Sequence, residues 1–214
     1  MARTPRNHGA SRARLAAAFV LLAAVLAGCA GNAPRPGGGE RAGGESYAIR
    51  EDGKLGGDLQ DDFDKALAHL RAGEHEQGIA LLTAITRHPQ GQYNTAPFIN
   101  LAIAYRHVDK LEAAEEALKK ALAINPDHPA ANNELGLVLR RSGRFAEARA
   151  AYERVLGKYP DYLPARKNLG ILCDLYLGDL DCAYEHYSRY SEAAPDDKSV
   201  TVWMADLANR RAAQ

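Results

Sequence analysis

From residue 95 to residue 197 the chain repeats itself with a period of 34, and that period limits the fold more than any other property. Leu101, Leu135 and Leu169 stand in one column; Ala102, Gly136 and Gly170 fill the next, and Tyr105, Leu139 and Cys173 a third. After one inserted residue in the last copy, Leu111, Phe145 and Leu180 align, then Ala114, Ala148 and Ala183, then Leu118, Tyr152 and Tyr187. Pro126, Pro160 and Pro195 close the copies, each followed by Asp. Within one copy, Phe98, Leu101, Ala102 and Tyr105 fall at i, i+3, i+4 and i+7, which is one face of a helix. Leu111, Ala114, Leu118 and Ala121 mark a second helix in the same way. Asp109, Gly143 and Gly178 lie at the turns between them, and the prolines stop each second helix. A pair of this kind cannot bury its apolar face alone and must stack on neighbours. Few residues are Val or Ile and many are Ala or Leu, which favours helix and argues against an all-β fold.

These columns resemble the tetratricopeptide repeat, carried by residues 95–128, 129–162 and 163–197, with an earlier degenerate copy at about 59–90. In that copy Phe63, Leu67 and Leu70 mark the first helix, and Gly78, Leu82, Ile85 and Pro89 the second helix and its stop. Val155 and Tyr190 depart from the small residue that the family places near the end of the second helix, and residues 90–94 lengthen one connection. The resemblance implies an all-α fold, a right-handed superhelix of about four helix pairs over 58–197. Residues 198–214 follow as a capping helix, with Val200, Trp203, Met204 and Leu207 on its apolar face.

The first 28 residues read as an address. Arg3, Arg6, Arg12 and Arg14 precede the uncharged run Leu15–Ala27. Thirteen helical residues span only about 20 Å, short of the ~30 Å hydrocarbon core, so the run fits a signal-peptide core better than a membrane span. It ends in Leu26-Ala27-Gly28-Cys29, which resembles the bacterial lipobox; the alternative is an ordinary secretory signal beside a chance cysteine. The resemblance implies acylation of Cys29 and a lipid anchor. Ala30, rather than Asp, follows it, which in Gram-negative families implies the outer membrane and its periplasmic face. Residues 29–57 hold most of a cluster of ten glycines and read as a flexible tether. Without the leader the chain carries 23 basic and 27 acidic side chains, a balance unsuited to nucleic acid.

Cys173 and Cys182 flank the last turn, close enough for a bridge in an oxidising compartment; the alternative is two buried thiols. Their spacing does not suit a metal, and no cofactor motif or catalytic constellation occurs, so the chain reads as a non-enzyme. The functional surface expected from the resemblance is the groove lined by first helices. Its candidate residues are Asn100, Ile103 and Arg106, then Asn133, Leu137 and Arg140, then Lys167, Asn168 and Ile171. Amides and cations beside aliphatic side chains suit an extended peptide and its carboxylates. The expected partner is therefore a periplasmic or outer-membrane protein or peptide segment. Similar short tetratricopeptide lipoproteins serve as assembly factors for type IV or Tad-type pili and their secretin pores. An adaptor for peptidoglycan enzymes or an energy-transducing envelope complex is the alternative in the same class. A carbohydrate-binding protein or hydrolase is the alternative outside it.

Overall fold

The computed structural model describes residues 55–213. The leader, Cys29 and nearly all of the tether lie outside these residues. Helices follow one another as α1 (Gly57–Arg71), α2 (His75–Arg87), a 3-10 turn (Gly91–Tyr93), α3 (Thr95–His107) and α4 (Leu111–Ile124). Then come α5 (Pro129–Arg141), α6 (Phe145–Lys158), α7 (Leu163–Leu172), a π-helical turn (Cys173–Leu177), α8 (Leu180–Ala193) and α9 (Lys198–Ala212). No strand occurs among the described residues. The all-α superhelix read from the repeat is the fold observed.

The first three hairpins close through the same chemistry. Gly73, Asp109 and Gly143 take left-handed φ values of 80°, 60° and 74°, and the next N–H reaches back five residues. Those bonds run from Glu74 to the His69 carbonyl, Lys110 to Tyr105 and Arg144 to Leu139, each 2.9 Å. They satisfy carbonyls that a helix end leaves open. Asp at 109 is tolerated because its short polar side chain lowers the cost of this conformation. Entry to the helices is fixed by caps: the Asn94 side chain accepts from the Ala96 N–H at 3.0 Å, and His128 Nδ1 accepts from Ala131 at 3.1 Å.

Inside each hairpin, a small residue on the first helix receives a large one from the second. A Cβ added at Gly136 would lie 2.6 Å from Tyr152 Cζ, and one added at Gly170 2.6 Å from Tyr187 Cδ1. Both tyrosines are buried. Between hairpins, α2 packs on α3, α4 on α5, α6 on α7 and α8 on α9. The first helices also approach one another, α1 to α3, α3 to α5 and α5 to α7, while second helices barely touch. The row of first helices is therefore the inside of the curve. Two apolar clusters result, one from Leu55 through Val138 and one from Leu139 through Leu207, with Leu135 packed against both.

Repeat four departs at the inserted residue. The extra residue is absorbed by the π-helical turn, and the closing bond, Asp179 N–H to the Cys173 carbonyl at 2.9 Å, spans six residues instead of five. A disulfide joins Cys173 to Cys182 across this turn, with Cα atoms 5.8 Å apart. It closes a nine-residue separation, so replacing both cysteines by Ser should cost about 2–3 kcal/mol in a urea unfolding titration. Hydrogen exchange at Leu175–Gly178 should accelerate in the same variant. Unchanged unfolding and exchange would mean that the turn holds itself.

Candidate functional site

The nine candidate groove residues sit on α3, α5 and α7 at repeating register positions, so they share one face. Ile103, Leu137 and Ile171 form an apolar row; Asn100, Glu134 and Asn168 form a polar row; Arg106, Arg140 and Asp174 form a charged one. Asn100, Ile103, Arg106, Asn133 and Leu137 are buried, whereas Arg140, Lys167, Asn168 and Ile171 keep partial exposure.

The polar members are tied to one another across the repeats or to their own helix. Arg106, 2% exposed, meets the Glu134 carboxylate at 3.2 Å. Asn168 Nδ2 donates to Asn133 Oδ1 at 3.0 Å, and Asn100 Nδ2 donates back to the Ala96 carbonyl at 2.8 Å. Such bonds hold side chains in one rotamer before any partner arrives, which lowers the entropy lost on binding. Arg140 lies over the Tyr176 ring at 5.6 Å. That contact joins the inner face to the π-helical turn, where Leu175, Tyr176 and Leu177 are exposed together.

Lys167 is engaged differently from a free peptide ligand. Its ammonium lies 2.7 Å from Asp197 at the start of α9 and stands over the Tyr190 and Trp203 rings at 5.3 and 5.4 Å. Tyr190 also donates to Asp197, at 3.0 Å. The hydrogen bond from Lys167, aided by those from Ser199 and Tyr190, holds the Asp197 carboxyl well below the usual carboxylate range. Burial and the bond to Asp197 push the Tyr190 hydroxyl up to about 12. A second clamp, Arg210 to Asp174 at 2.5 Å, fixes the far end of α9. Tyr187 donates to the same carboxylate at 3.4 Å. Nothing in the sequence around Asp197 or Arg210 marks either residue. Their partners lie 30 and 36 residues away, and only the one-repeat spacing hints at the pairing.

The ligand atoms of Cys173, Asp179 and Cys182 lie within 4.8 Å of one another, the geometry of a three-ligand metal site. With the sulfurs bonded to each other, neither is available as a thiolate. Asp179 serves instead as the cap of α8, accepting from the Cys182 N–H at 3.1 Å. No described helix is long and apolar enough to cross a membrane.

A solenoid of helical hairpins with an ordered, polar-and-aliphatic inner face is a scaffold for protein partners. Two models of the tetratricopeptide repeat match the sequence, over residues 99–162 and 139–207. Residues 99–207 thus belong to the tetratricopeptide repeat family, whose members are generally non-enzymatic scaffolds. Superkiller complex protein 3 of Mus musculus is 33% identical over 114 residues, 53% of this chain. The chain spans about 7% of the length of that relative. Among solved structures, MamA from Desulfovibrio magneticus RS-1 superposes with a TM-score of 0.63 at 20% identity, covering 74% of this chain and 88% of that one. Pseudomonas aeruginosa pilF does so with a TM-score of 0.65 at 22% identity, covering 72% and 68%. Likeness at this level of identity speaks to fold.

Proposed function

We propose that the protein is anchored by an acylated Cys29 to the periplasmic face of the outer membrane. There it holds an extended segment of a protein partner along α3, α5 and α7 during assembly of an envelope machine. The observation that carries this reading is the pre-bonded inner face, with its aliphatic row flanked by amides and guanidinium groups. The leader ending at Gly28-Cys29 supports the anchor. The fold likeness to pilF, a type IV pilus protein, supports a pilus as the machine.

Two arms of one experiment in a Gram-negative host test it. Cys29→Ala should abolish incorporation of labelled palmitate and remove the chain from the outer-membrane fraction; unchanged outer-membrane fractionation would remove the anchor. A photo-crosslinking amino acid at Ile171 should yield a discrete adduct with an envelope protein, identified by mass spectrometry. The same probe at Glu153, exposed on the second-helix side, should not. Equal adducts from both positions would move the site off the inner face.

A further inference from the structure

Repeats three and four differ at one corner, and the difference leaves a largely buried guanidinium with no carboxylate in ion-pair contact. In repeat three, Asp127 in the loop before α5 pairs with Lys158 at the end of α6, at 2.5 Å. The Asn132 amide ties the same loop by donating to the Pro126 carbonyl at 2.9 Å and to the His128 carbonyl at 3.1 Å. The repeat register carries Asp127 onto Asp161, Asn132 onto Arg166 and, beyond the inserted residue, Lys158 onto Ala193. The loop bond survives, with Arg166 Nη2 donating to the Pro160 carbonyl. The lysine does not survive, and a methyl group stands in its place.

A cleft of about 550 Å³ opens at that corner, between the α6–α7 loop and the end of α8. Its lining includes Pro160, Asp161, Leu163, Arg166, Arg189 and Glu192. Arg166 is 6% exposed. A guanidinium carries five N–H donors, yet the Pro160 carbonyl is the one acceptor that Arg166 meets among the described residues. No carboxylate of the described residues comes within ion-pair distance of it, and Arg189, which is paired with Glu185 at 3.2 Å, adds like charge. Burial, reinforced by Arg189 and opposed at longer range by Asp161 and Glu185, pushes the Arg166 pKa downward. A neutral amide does the loop-tying work in repeat three, so the guanidinium brings donors beyond the one that the loop uses. Charges as largely buried as this one are ordinarily paired.

We propose that this cleft receives a single carboxylate from a protein partner, an Asp or Glu side chain with a basic neighbour. Arg166 holds the carboxylate. Asp161 and Glu192 at the rim accept the neighbouring cation and repel a polyanion, and Pro160, Leu163 and Ala193 cover the aliphatic stem. The site uses the start of α7 and the end of α8 but none of the nine groove residues, so it stands or falls separately from the inner face.

The test uses the full-length protein in detergent micelles, with arginine labelled by ¹⁵N. The probe is the blocked tripeptide acetyl-Lys-Glu-Leu-amide, with acetyl-Lys-Gln-Leu-amide and inorganic phosphate as comparison arms. The Arg166 Nε–Hε resonance should shift saturably with the Glu peptide. The Gln peptide and phosphate should bind more weakly by about tenfold or more, the value of a charge-assisted hydrogen bond. Arg166→Asn and Ala193→Lys each restore the residue that repeat three carries, and both should weaken the Glu peptide by a similar factor. Equal binding of the Glu and Gln peptides to the unmodified protein would overturn the proposal whether or not the variants fold. So would tighter binding of phosphate, unchanged affinity in both variants, or no saturable shift.

Discussion

Gly136→Ala should destabilise the array by about 2–3 kcal/mol, more than an exposed-helix Gly→Ala change, which usually stabilises. The added methyl would enter the ring of Tyr152, which is fully buried and has nowhere to retreat. Repeat two shows the compensating arrangement. There the same two register positions hold Ala102 and Leu118, a larger residue on the first helix facing a smaller one on the second. Adding Tyr152→Leu to Gly136→Ala should therefore recover much of the loss, and urea denaturation of the four members of that cycle measures it. Additive losses would show that the glycine is there for some reason other than the ring.

Lys167→Glu should release the C-terminal helix. Asp197 would then face a like charge in a partly buried site, and Tyr190 and Trp203 would lose their cation. The expected loss is about 1–3 kcal/mol, between that of an exposed ion pair and that of a buried one. Trp203 is the only tryptophan, so its emission reports the release directly. Acid should do the same to the unmodified protein. The Asp197 pKa is depressed in the folded state, so its contribution is complete above the unfolded value near 3.9 and fades as pH falls through the folded one. The Trp203 signal should hold from neutral pH down to about 4 and change below it. Asp197→Asn should flatten that response, and an unaltered acid transition in the variant would assign it to another carboxylate.

The helical hairpins were legible because each column is held by a contact inside one repeat. Gly136 against Tyr152 and Gly170 against Tyr187 are sixteen and seventeen residues apart, and both partners recur. Other features depend on contacts between repeats, where the sequence offers charge but no direction. Lys167 carries the marks of a peptide ligand, and only the packing of α9 shows that it is committed to Asp197. The insertion in repeat four is visible as one extra residue before Leu180. That residue could equally have lengthened the loop; the bond from Asp179 to Cys173 is what winds it into the helix. Asn100 and Arg106 could be placed on a face from spacing alone. Their burial could not, because it depends on what stacks around α3.

α5 contributes Ala131 and Val138 to one apolar cluster and Leu139 to the other, and Leu135 touches both. Such a seam lets the two ends of a linear array open with some independence. A ligand that bridges α3 and α7 crosses that joint and makes the halves one cooperative body. Occupancy would then be felt at the far ends of the molecule as stiffness, with no change of shape required.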